Sequence, residues 1–110
     1  MALHHAEQGE VIDVRPYGGE ITGAQSIALF KSAQLEVMRL VFPAGHRMPS
    51  HQVAGEITIQ CLEGVVEVEV AGAVTALPAG HLLFVEGGVA HALRAIQAAS
   101  VLVTVVLCSV

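Results

Sequence analysis

The sequence predicts an all-β fold, an antiparallel barrel or double sheet, and three observations carry that expectation. Hydrophobic residues make up 54% of the 110 residues, yet aromatics only 4%, because the apolar content is aliphatic, with 17 Val and 6 Ile. Branched side chains of this kind pack well on a pleated surface and lose rotamer freedom in a helix. Turn residues recur at short intervals, at Gly19, Gly45, Gly55, Gly64, Gly72, Gly80 and Gly88, several of them close to Pro16, Pro43 or Pro78. Between them lie strand-length apolar stretches, the pattern of a sandwich or barrel. Finally, several stretches alternate with period two, the mark of a strand with one buried face.

Residues 25–36 read as strand and loop, since Ile27, Leu29, Phe30 and Leu35 fit helical spacing poorly. Residues 35–42 are more continuously apolar, which predicts a strand covered on both sides. In residues 57–61 the apolar side chains take every second place, through Ile57, Ile59 and Cys61. In residues 65–70, Val66, Val68 and Val70 share one face and Glu67 and Glu69 the other. That acidic pair reads as a solvated face, because no apolar pocket is implied that would shift its ionisation. The charge-free run 70–85, broken by Gly72, Pro78, Gly80 and His81, and the charge-free tail 95–110 both read as buried strands. The tail holds 16 residues, including Gln97, Ser100 and Thr104, whereas a spanning helix needs about 20 apolar residues. No membrane span is expected.

Charge and cysteine content exclude further classes. Five Lys and Arg against ten Asp and Glu give a net charge of −5, and Arg15, Lys31, Arg39, Arg47 and Arg94 form no basic stripe. Nucleic-acid binding, which draws its affinity from phosphate contacts, is disfavoured. Residues 1–10 lack the basic stretch and apolar run of a secretory leader. Cys61 and Cys108 have neither metal-ligand spacing nor a framework number, which points to a reduced, cytoplasmic protein.

The informative stretch runs from Pro43 to Gly64, with a second from Gly80 to Ala95. Gly45 is followed after five residues by His51, and Gly64 closes the segment; Gly80 opens the second, with Gly88 and His91 inside it. These registers resemble the two motifs of the cupin family, motif 1 at 45–64 and motif 2 at 80–95, separated by 15 residues. The resemblance implies a single cupin domain over residues 1–110 with a cupin-type β-barrel, the double-stranded β-helix or jelly roll. It implies four inward metal ligands: two His and a Glu from the first motif, and a His from the second. Only His51 and His91 match. Val53 stands at the second histidine place, Ile57 at the glutamate place, Glu86 at the proline place and Ala95 at the final asparagine place.

Two imidazoles make a weak metal site, since zinc takes three or four protein ligands. Glu56, next to the glutamate place, and His46, in the loop before His51, are the residues to complete the shell. By alternation Glu56 faces away from the side of Ile57, and a bulge is needed to turn it inward. Cys61 lies four residues deeper than Ile57, about 13 Å at strand rise, and reads as a small buried apolar residue. His81 reads as a turn residue, and His4 and His5 as surface residues.

The leading expectation is a small-molecule binding barrel with an aliphatic pocket. Val53, Ile57, Ile59 and Leu93 line it, and His51 and His91 stand at its polar end. One alternative is a metal-dependent enzyme, resembling the oxygenases, isomerases and decarboxylases among cupins, with divalent Fe, Mn, Ni or Zn on His51 and His91. A further alternative is a sensory or assembly barrel. The family resemblance adds a homodimer, paired through apolar outer strands.

Overall fold

A computed structural model describes residues 5–107, so His4 and Cys108 lie outside the described residues. Nine strands form among them: β1 (Ile27–Lys31), β2 (Leu35–Phe42), β3 (Arg47–His51), β4 (Ile57–Glu63), β5 (Val65–Val70), β6 (Ala73–Pro78), β7 (Leu82–Val85), β8 (His91–Ala95) and β9 (Ala99–Val106). The only helical element among the described residues is a short 3₁₀ segment, Gly18–Gly23, in the arm that precedes β1. All pairings are antiparallel. One sheet has five strands in the order β1-β2-β9-β4-β7, the other four in the order β3-β8-β5-β6. Strands distant in sequence are neighbours in both sheets, the crossing pattern of a jelly roll. No helix of the described residues is long and apolar enough to cross a membrane.

The inner faces of the two sheets meet in one aliphatic cluster. Ile57, Ile59 and Cys61 of β4, Val66 and Val68 of β5, Leu93 and Ala95 of β8, and Val101 and Val103 of β9 are all buried in it. The period-two reading of β4 and β5 holds residue by residue. Two further elements bear on the expectations. Residues 36–42 meet the expectation of cover on both sides, but with a buried charge on one of them: Met38, Leu40 and Phe42 pack towards the core, while Arg39 is buried on the opposite face. That outer face is covered locally by the N-terminal arm, which Arg39 holds through the carbonyl oxygen of Arg15.

The run 70–85 is not buried as expected. β6 is exposed at every position but Leu77, and in β7 Leu82 and Phe84 are 61% and 55% exposed. Both strands lie at sheet edges. A missing charge there reflects small side chains (Ala73, Thr75, Ala76) and apolar ones on an outer face, not enclosure.

Gly64 closes β4 into β5 at φ +76°, a left-handed conformation that side chains resist. A β-carbon at Gly64 would also run into the Ala98 carbonyl and Ala99. This glycine therefore fixes both the turn and its close packing on the start of β9.

Candidate functional site

His51 ends edge strand β3 and His91 begins β8. The register along this pair runs Arg47 to Arg94, Met48 to Leu93, then His51 to His91. Three residues on β3 therefore match two on β8, a bulge containing Pro49 and Ser50. An extra residue reverses side-chain parity, so His51 shares the face of Met48 despite its odd spacing from it. Proline is tolerated here because an edge strand at a bulge needs no ladder donor. His91 needs no such device, since it alternates inward with Leu93 and Ala95.

The two rings meet with centroids 4.4 Å apart and planes tilted by 55°. His91 is 3% exposed, while His51 lies open at the rim. The Nδ1 of His91 is 3.1 Å from the carbonyl oxygen of Val89, and that of His51 is 3.4 Å from the carbonyl oxygen of Pro49. A carbonyl oxygen only accepts, so each Nδ1 carries the hydrogen, and in the neutral ring Nε2 presents a lone pair. Neither Nε2 has a hydrogen-bond partner among the described residues.

Both rings line a cavity of about 350 Å³ between the sheets. Val53, Ile57, Ile59 and Leu93 line it too, so the six residues singled out for a pocket share one space. Sequence reasoning missed several wall residues, above all Glu36. That residue alternates with Met38, Leu40 and Phe42 along β2, and this alternation was the available signal. It belongs to the layer Glu36–Val105–Ile57 of one sheet, and His51, His91 and Val70 form a layer of the other.

Glu56 and His46 do not join the imidazoles. Glu56 is exposed and meets β9 only through its carbonyl oxygen, which accepts from the Val106 N–H. The His46 ring is exposed and stacks on Phe42 with centroids 5.8 Å apart. Among the described residues, no group of three or more His, Cys, Asp or Glu is placed to hold a metal ion. Two imidazoles beside Val53 and Ile57 do not fit a divalent metal held by protein side chains alone. His81 is a turn residue whose Nδ1 approaches the carbonyl oxygens of Pro78 and Ala79, and His5 is exposed. Cys61 is a buried free thiol that contacts the carbonyl oxygens of Glu63 and Gly64; burial pushes its pKa up, and backbone hydrogen bonds at Glu63 and Val66 offset this only in part.

A second polar cluster lies on the outer face of the five-stranded sheet, and sequence reasoning missed it as well. Arg39 is 2% exposed among Glu63, Ser100 and the arm. Its guanidinium donates to Glu63 at 3.1 Å, to Ser100 Oγ at 3.1 Å and to the Arg15 carbonyl oxygen at 2.8 Å. It also stacks 3.8 Å from the Tyr17 ring centre. The Ser100 hydroxyl donates to Glu63 at 2.6 Å, and the Tyr17 and Gly18 N–H groups donate to the same carboxylate. Burial pushes the Glu63 carboxyl up, but the Ser100, Tyr17 and Gly18 hydrogen bonds and the Arg39 charge together hold it below its ordinary value. No buried side-chain nitrogen or oxygen among the described residues lacks a partner. A shallow trough on the other sheet carries both signs of charge, with Arg94 paired to Glu67 at 3.5 Å.

The family model described as "Cupin domain" matches residues 38–107. Among solved structures, an RmlC-like cupin protein from Desulfovibrio desulfuricans is 27% identical with a TM-score of 0.69, covering 94% of this chain and 97% of that one. A cupin domain from Schizosaccharomyces pombe aligns with a TM-score of 0.71 at 20% identity; the match takes in 76% of this chain but only 64% of the other's length. A salicylate 1,2-dioxygenase from Pseudaminobacter salicylatoxidans aligns with a TM-score of 0.67 at 19% identity, over 73% of this chain and 25% of that enzyme. Curated protein sequences gave no match.

Proposed function

The chain belongs to the cupin family, and from that premise we propose that it binds a small, largely apolar molecule in the cavity between its two sheets, with His51 and His91 at the polar end. The observation that carries this reading is the His91 ring: it lines the cavity, is tied down at Nδ1, and leaves an Nε2 that is not among the buried unpartnered atoms and so remains open to a ligand. An accessible lone pair on an otherwise apolar wall is the kind of polar anchor that small-molecule sites use. A volume of about 350 Å³ falls at the lower end of the span usual for small-molecule sites, roughly 300–1,000 Å³. The apolar replacements Val53 and Ile57 dry the walls and favour an aliphatic or aromatic body.

A fragment screen by amide and side-chain NMR tests the proposal. Bound fragments should shift resonances of Ile57, Ile59, Leu93 and the two imidazoles together. Fragments that perturb only outer-face residues would overturn it. Metal analysis on untreated protein separates the alternative: stoichiometric transition metal, lost in both His51→Ala and His91→Ala, favours metal-dependent chemistry instead.

We further propose that the chain pairs as a homodimer. Leu82 and Phe84, exposed on the outer face of the five-stranded sheet, support this. Light scattering at micromolar concentration checks it, and a strict monomer would count against it.

A further inference from the structure

We infer that the molecule this cavity selects is a small primary amine, bound as its ammonium ion between the two imidazoles and the Glu36 carboxylate. The inference rests on the reading of the cavity as a ligand site and concerns what that site prefers.

Every polar side chain on the wall accepts hydrogen bonds. The Nδ1 of His91 donates to the Val89 carbonyl oxygen and that of His51 faces the Pro49 carbonyl oxygen, which leaves two Nε2 lone pairs. Glu36 contributes a carboxylate, an acceptor with a negative charge, from the facing sheet. It has no hydrogen-bond or ion-pair partner among the described residues. Its cross-strand neighbour Lys31 is exposed and outside the cavity wall.

No side chain on the wall donates. Arg39 is committed to Glu63, Arg15 pairs with Asp13, and Arg47 and Arg94 line the trough on the other sheet's outer face. An anionic head would therefore meet three acceptors and no countercharge. An alcohol offers one donor. A primary ammonium offers three donors and a positive charge, matching two lone pairs and one carboxylate.

The same three groups line one cavity but are not placed to hold a metal ion. A metal needs its ligands at about 2.0–2.2 Å. An ammonium nitrogen holds its acceptors at longer distances, about 2.9 Å. The rest of the wall, with Met38, Leu40, Met48 and Val103, sets an apolar body of modest size.

Calorimetric titration with three probes of one shape tests the inference: cyclohexylmethylamine, cyclohexylmethanol and cyclohexanecarboxylate. The amine should bind at least tenfold more tightly than the alcohol, and the carboxylate should bind least. Glu36→Gln should lower amine affinity by tenfold or more and narrow the amine-to-alcohol ratio. If the carboxylate binds best, or if amine and alcohol bind alike, the amine assignment falls while the cavity reading stands. If none of the three binds, both fall. The ranking on the unaltered protein does not depend on how the variant folds. An unchanged amine-to-alcohol ratio in a folded Glu36→Gln protein would also overturn the assignment.

Discussion

The two polar clusters of this molecule are made of similar parts and end in opposite states. On the outer face of the five-stranded sheet, Arg39, Glu63 and Ser100 exchange hydrogen bonds with each other and with the arm until each polar side chain is answered. At the mouth of the cavity, His51, His91 and Glu36 are brought to one space, yet the Nε2 atoms and the carboxylate have no partner among the described residues. A satisfied network is spent on holding the chain, here the arm against the sheet. A set of acceptors on one cavity wall without donors has its interactions still to make. Satisfaction, more than residue type, separates structure from recognition in this fold.

Breaking the satisfied cluster should cost the most. Arg39→Ala leaves Glu63 charged and largely enclosed, and loss of one partner of a buried ion pair costs about 3–5 kcal/mol. Denaturant unfolding should show a loss of that size, and hydrogen exchange at Tyr17 and Gly18 should accelerate as the arm comes free. Ser100→Ala removes one hydroxyl that both accepts from Arg39 and donates to Glu63, and should cost about 2 kcal/mol in the same assay.

Acid should loosen this cluster selectively. The folded state holds the Glu63 carboxyl below its ordinary 4.5, so its contribution is complete above that pH and is lost as pH falls through the folded value. The melting temperature should therefore fall more steeply with acid below about pH 4.5 in the native protein than in Glu63→Gln. Equal slopes would remove Glu63 from the account.

The unsatisfied cluster should be nearly neutral to stability. His91→Phe keeps the shape and removes atoms that make one intramolecular hydrogen bond, so it should cost about 1 kcal/mol or less. It should nevertheless abolish the fragment shifts at Ile57 and Leu93. A large stability loss with binding retained would invert the comparison.

Much of the frame was legible because it depends on local chemistry. Alternation placed β4 and β5 correctly, and the glycine and histidine registers pointed to the family before any coordinates. Legibility ended where strand pairing decides the outcome. Ala73, Val74 and Leu82 read as buried because they are uncharged, but no sequence pattern says that β6 and β7 lie at edges. Glu36 lies outside the family's motif positions, and its alternation with Met38 is the one sequence feature that points it inward. Arg39, Glu63 and Ser100 are up to 61 residues apart, and only the β2-β9-β4 order makes them neighbours. The loop positions of Glu56 and His46 follow from tertiary packing, which spacing does not encode.

Both clusters share one device. On β3, three residues match two of β8 before His51; on β4, the step from Cys61 to Glu63 matches the single step from Val101 to Ser100. Each slip turns one side chain across its sheet, His51 towards the interior and Glu63 towards the exterior. The extra residue is absorbed at the step itself: deleting Ser50 would restore plain alternation and leave the imidazole on the face of Met48, whereas straightening the strand with Ser50 in place would swing it out into water. Such a fold can take in or lose a codon at these two steps and keep its polar groups where they are.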